Sequence, residues 1–86
     1  MMLFKAFKIV NPWTYKEEDT GNIVSLNPEN PDELRGLAKE YGVMYVYAHG
    51  DDTKPDYLCG HNVYFDDEDF EESEDLYMFR PVPEHN

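Results

Sequence analysis

An α+β fold, one helix packed on a small, mainly antiparallel sheet of three to four strands, is predicted by three features of the sequence. A capped helix reads over 31–41. The most strand-like run in the chain, 43–49, follows it at once. Apolar and aromatic segments at 2–10, 57–65 and 76–80 supply the other strands.

The first segment, 2–10, alternates imperfectly. Leu3, Phe7 and Ile9 share a face with Lys5, while Phe4, Ala6 and Lys8 share the other, and Asn11 and Pro12 end the run. Residues 13–22 show no period and read as a loop. Trp13 and Tyr15 at its start fold back over the core, with Trp13 as a lid on a sheet edge or a partner contact. Glu17, Glu18 and Asp19 read as solvated loop. Ile23, Val24, Ser25 and Leu26 form a brief strand or an extended lead-in to the helix.

The helix carries its own punctuation. Asn30 is the cap, Pro31 suits the first turn, and Glu33 is an acid at the third helical position. Leu34, Leu37, Ala38 and Tyr41 fall on one face, and Gly42 is placed to stop the helix. Gly36 lies inside it, through close packing or as tolerated weakness. In 43–49, Met44, Val46 and Ala48 point one way and Val43, Tyr45, Tyr47 and His49 the other. One helix covers one face. The strand is therefore either interior, or it presents its tyrosines as an interface. Residues 57–65 pair with it as a hairpin, with Gly60 marking a weak centre or a bulge. The segment 66–75 reads as an acidic loop or short helical piece, and 81–86 as a proline-bearing tail.

Charge is the outstanding property. Nineteen Asp and Glu face seven Lys and Arg, a formal net charge of -12, within one small domain over 1–86. The excess is regional: residues 1–50 carry net -2, and residues 51–86 carry net -10. Halophilic composition would spread more evenly, whereas a partner-binding surface needs a regional field. Such a field repels nucleic acid and anionic membrane, and attracts a basic protein surface. Aromatic residues at 15% argue for a folded core.

Catalytic and metal chemistry find little support. Cys59 and His61 stand two apart on one strand face, and His49 lies across the hairpin, but the paired short spacings of a zinc site are missing. A nucleophile–base pair of Cys59 with His49 or His61 lacks an orienting third group. The acidic block fails the calcium-loop pattern, because Glu71 stands where glycine is required. There is no phosphate loop and no dinucleotide fingerprint. The expectation is a non-enzyme without metal or cofactor. No apolar run suits a leader or a membrane span, and the lone Cys59 forms no intrachain disulfide, so the cytoplasm is the expected compartment.

The partner-binding candidates are therefore the acids Asp66, Asp67, Glu68, Asp69, Glu71, Glu72, Glu74 and Asp75, extended by Asp51, Asp52 and Asp56 where the fold brings the two groups together. Carboxylates two apart on an extended segment lie about 6.6 Å apart, close to the spacing of about 6–7 Å between phosphates along a DNA strand. Asp67, Asp69 and Glu71 would form such a row. In charge layout and composition the chain resembles the small acidic DNA-mimic and inhibitor proteins. Many of these are carried by bacteriophages against restriction, CRISPR or other host nucleic-acid enzymes. The resemblance implies a basic, nucleic-acid-binding partner and a host-cell cytoplasmic location, and it assigns no individual residue. The alternative is an accessory or assembly protein that binds a partner, or a second copy, through Tyr45 and Tyr47 on the second face of 43–49, with Trp13 of the preceding loop as a further contact.

Overall fold

The helix forms where its local signals stand. The Asn30 side chain accepts a 3.0 Å hydrogen bond from the Asp32 amide, Pro31 opens the first turn, and the Glu33 carboxylate reaches back to the Asn27 amide at 3.3 Å. Gly42 closes the helix in the left-handed region at φ 69, and the Val43 amide returns to the Ala38 carbonyl at 3.0 Å.

The computed structural model describes residues 1–11, 13–65 and 71–83. In chain order the elements are β1 (Met2–Asn11), β2 (Lys16–Leu26), α1 (Pro31–Tyr41), β3 (Tyr45–Asp51), β4 (Lys54–Phe65) and β5 (Glu71–Pro81). The strands form one sheet in the order β2-β1-β5-β4-β3, and every neighbouring pair is antiparallel. Strand β5 lies between the two hairpins, and α1 crosses one face of the sheet from one edge to the other.

The main core lies between α1 and that face. Phe4, Ala6, Leu58 and Phe79 are fully buried, Leu26 and Leu37 nearly so, and Leu34, Val46, Ala48 and Tyr77 pack around them. The Tyr41 ring meets Tyr77 and Phe79 edge-on, with centroids 5.1 and 5.0 Å away. Burying Phe4 and Phe79 each contributes on the order of 2–3 kcal/mol, before the entropy of ordering is set against it. A smaller cluster of Ile9, Cys59 and Met78, flanked by Phe7 and Tyr57, sits on the opposite face.

Several expectations need correction. The sheet has five strands, because 16–22, expected as loop, joins 23–26 in one full edge strand. Its strand character comes from pairing. Thr20 Oγ1 donates to the Ala6 carbonyl at 2.8 Å, Asp19 pairs with Lys5 at 2.5 Å, and Glu17 takes Arg80 through two contacts of 3.1 and 2.7 Å. Trp13 is no lid: it is 92% exposed at the β1–β2 turn. Strand β3 is not interior but the sheet's other edge. Its tyrosines stand on the open face because α1 covers Val46 and Ala48. Strand β5 starts at Glu71, so the acidic stretch supplies part of a strand. Pro81 ends that strand, and the Val82 amide donates to the Leu3 carbonyl at 2.9 Å. Gly60 does mark an irregularity, with the β4–β5 register shifting between Gly60 and His61.

Candidate partner-binding site

The uncovered face is built from cross-strand rows. One row crosses the whole sheet: Asp19 of β2 opposes Phe7 of β1, Phe7 opposes Met78, Met78 opposes Cys59, and Cys59 opposes Tyr47. Strand β3 lays its rings against those of β4. Tyr45 stacks on His61 with centroids 5.6 Å apart, and His49 stacks on Tyr57 at 4.6 Å. Tyr47 meets His61 edge-on at 4.9 Å. Such pairs stabilise an antiparallel sheet and still leave ring area for a partner.

This face does not assemble a reactive centre. Burial pushes the Cys59 thiol up to about 12, against a smaller opposing effect from its hydrogen bond with Tyr47. Burial also pushes the Tyr47 phenol up, as does that bond. The thiol is therefore protonated and sealed at neutral pH, the opposite of an activated nucleophile. His49 opposes Tyr57 and His61 opposes Tyr45, four residues away along β3, so the backbone positions of the two histidines are about 13 Å apart along the strands at the usual rise. No three potential ligands converge on a metal position among the described residues.

The second feature is a projecting ribbon. Strands β4 and β5 pair as far as Phe65 and Glu71, whereas β3 pairing stops at Tyr45–His61 and β1 pairing at Lys8–Tyr77. Residues Asn62–Phe65 and their β5 partners thus continue as two strands alone, and the molecule extends over 52 × 27 × 22 Å. Glu74, opposite Asn62, lies on this ribbon, and Asp75, opposite His61, stands at its base on the other face of β5. No Lys or Arg occurs between Lys54 and Arg80.

Two aromatic side chains stand at the ribbon's base, Tyr15 against Asp75 and Tyr45 against His61. Asn11 Oδ1 accepts from the amides of Trp13 and Thr14 at 3.0 and 3.3 Å, which closes the β1–β2 turn. Tyr15 sits there at φ 54, and its phenol donates to Asp75. Trp13, Tyr15, Tyr45 and Tyr64 are all exposed. Asn62 ties the ribbon to the chain before β3, its Oδ1 accepting from the Met44 amide at 2.8 Å and its amide donating to the Tyr64 hydroxyl at 2.8 Å.

No protein-family model, curated protein or solved structure matches this chain.

The fold separates the two acid groups proposed from sequence. Asp51, Asp52 and Asp56 lie around the β3–β4 turn, at the far end of β4 from the ribbon tip. The strand between spans about 30 Å at the usual rise. These residues serve that turn. Asp51 accepts from the Thr53 amide and hydroxyl at 2.9 and 2.8 Å, which holds its carboxyl below the usual range, and Asp56 lies 3.7 Å from His49. Glu71, Glu72, Glu74 and Asp75 fall on β5, while Asp66, Asp67, Glu68 and Asp69 lie outside the described residues. Tyr45, Tyr47 and Trp13 are exposed as an interface would need, the tyrosines on β3 and Trp13 in the β1–β2 turn. Tyr15 and Tyr64 went unrecognised. Their signal is pairing across β4, β5 and the β1–β2 turn, which no local pattern carries. Among the described residues, no helix is long and apolar enough to cross a membrane.

Proposed function

We propose that this chain is a small acidic protein-binding inhibitor, a nucleic-acid mimic whose β4–β5 ribbon occupies the basic surface of a nucleic-acid enzyme of the anti-restriction or anti-CRISPR type. The observation that carries the reading is the polarity of the fold. A ribbon free of Lys and Arg projects past its neighbours, while Lys5 and Arg80 in the body are held by Asp19 and Glu17. Lys and Arg side chains that normally meet phosphates would meet carboxylates on both faces of the ribbon. Charge-assisted pairing supplies affinity, and the field of the arm speeds encounter. The exposed rings at the base supply anchors beside the charged arm. Asp51, Asp52 and Asp56, at the other end, are left out of this contact.

The test is capture from host lysate on immobilised protein, elution in a salt gradient, and assay of the captured enzyme for DNA or RNA binding. Expected is one nucleic-acid enzyme, released at moderate salt and unable to hold nucleic acid while complexed. The Asp67→Lys, Asp69→Lys, Glu71→Lys triple variant loses capture by at least about tenfold, a change of roughly 1.4 kcal/mol. The Asp51→Lys, Asp52→Lys pair retains it. Full binding by the triple variant, or a salt-resistant partner lost on substitution of Tyr45 or Tyr47, overturns the mimic in favour of an adaptor. The exposure of both tyrosines on the uncovered sheet face is what favours that second reading.

A further inference from the structure

The two edges of the sheet are built differently. Edge β2 carries Lys16, Glu17, Glu18 and Asp19, and its register shifts twice against β1. Charges and bulges of this kind discourage further pairing. Edge β3 reads Tyr45, Val46, Tyr47, Ala48, His49 and Gly50. These six residues include no Lys, Arg, Asp, Glu or Pro; the strand's one acid, Asp51, stands at the turn, and its one register shift comes just before it, between His49 and Gly50. A chain of formal net charge -12 has therefore kept one strand edge free of charged side chains until its last residue. Every second residue there turns its N–H and C=O away from β4, offering a template for another strand. Beside this edge on the helix side runs a mainly apolar groove of about 160 Å³, lined by Pro31, Leu34, Ala38, Met44, Tyr45 and Val46, with Arg35 as its one charged residue.

We propose that β3 is a homodimer interface: β3 of a second copy adds antiparallel across a twofold axis at Tyr47, joining the two sheets into one. This register sets Tyr47 against Tyr47 of the other copy, Tyr45 against His49, and Val46 against Ala48. The choice of a second copy rests on a pattern the strand already uses. Toward β4, β3 makes two Tyr–His cross-strand pairs, Tyr45 with His61 and His49 with Tyr57, both with stacked rings. Self-pairing about Tyr47 makes two more pairs of the same composition on the same face. On the helix side, Val46 and Ala48 of each copy lie beside the other's groove. The axis runs normal to the sheet, so the two acidic ribbons project in opposite directions and add little mutual repulsion. The contact uses the edge of 43–49, whereas the sequence had suggested its face.

Sedimentation velocity over a range of concentration and salt tests this. Expected is a dimer whose dissociation constant falls as salt rises, because screening relieves the repulsion of like-charged copies. Capture of a basic partner weakens with salt, so the two readings fail separately. Cysteine pairing tests the register in a Cys59→Ala background, since position 59 opposes 47 within one chain. Tyr47→Cys should cross-link to itself, because opposed Cα atoms about 4.5–5.5 Å apart lie within disulfide range. Tyr45→Cys and His49→Cys should cross-link with each other and not with themselves. Tyr47→Lys sets like charges on the axis and should weaken the dimer at least tenfold while circular dichroism stays unchanged. A monomeric wild type, equal self-linking at 45, 47 and 49, or an undiminished dimer in Tyr47→Lys overturns the proposal.

Discussion

The Tyr15 phenol donates a 3.0 Å hydrogen bond to Oδ2 of Asp75, across 60 residues of sequence. The bond ties the β1–β2 turn to β5 where the ribbon leaves the sheet, and it holds the acid at the ribbon's base in place. The bond itself, and then the charge of Asp75, hold the phenol above its usual range.

Tyr15→Phe should therefore loosen the base of the ribbon without disturbing the backbone of the turn. The bond is exposed, so the cost to global stability is below about 1 kcal/mol. The clearer readout is faster amide exchange at Glu74, Asp75 and Leu76. The pH dependence has a fixed sign. A raised phenol contributes its full stability below its unfolded value of 10.0 and loses it as pH climbs past that value. The stability difference between wild type and Tyr15→Phe should accordingly shrink above pH 10.0.

Cys59 is 1% exposed beneath Tyr47, so it should resist aromatic disulfide reagents and alkylators in the native state and react on unfolding. Tyr47→Ala opens the cover and should speed labelling at least tenfold, read by mass spectrometry over time. The thiol is raised from 9.0 to about 12, so its contribution is intact below 9.0 and is lost between the two values. Urea midpoints should fall across that alkaline window, and the fall should be smaller in Cys59→Ala.

Two glycines should respond in opposite directions. A Cβ at Gly36 meets nothing within 4 Å, so Gly36→Ala should stabilise the protein by about 0.8–1.0 kcal/mol through helix propensity. A Cβ at Gly60 meets Val43 Cγ2 at 3.3 Å and Phe79 and Tyr77 at 3.5 Å. Gly60→Val should overpack the core and cost about 1–3 kcal/mol. Thermal and urea unfolding of both variants provide the check. A Gly36→Ala that fails to stabilise would mean that the helix surface carries a contact of its own.

What the sequence made legible was local. The cap at Asn30, the proline after it, the stop at Gly42 and the stripe through Leu37 and Ala38 all act within a few residues, and each stands where it was read. The first part of strand β2, 16–22, is illegible because its residues are mostly exposed and polar, and Leu26 is the one buried apolar member of the whole strand. Partners far along the chain hold it, namely Lys5, Ala6 and Arg80. The start of β5 was hidden for a related reason: Glu71 to Asp75 have little strand character and take it from Phe65 through His61 opposite. The alternation of 43–49 puts Tyr45 and Tyr47 together on one face. That they lie on an edge depends on strand order, which is a property of the whole chain. The separation of Asp51, Asp52 and Asp56 from the ribbon likewise follows from the direction of β4, and composition carries no trace of it.

Strand β5 holds the two hairpins together, and the ribosome makes it after both of them. Until it emerges, β1–β2 and β3–β4 have no common ladder, and Phe79 is missing from the core. A nascent chain that has passed Phe65 is two loosely held halves, and a chain cut before Leu76 is not a shortened domain but an unassembled one. The strand that places acids on the projecting arm thus also decides whether the body closes, so lesions near the ribbon that unpair β5 should appear first as lost protein and only then as lost binding.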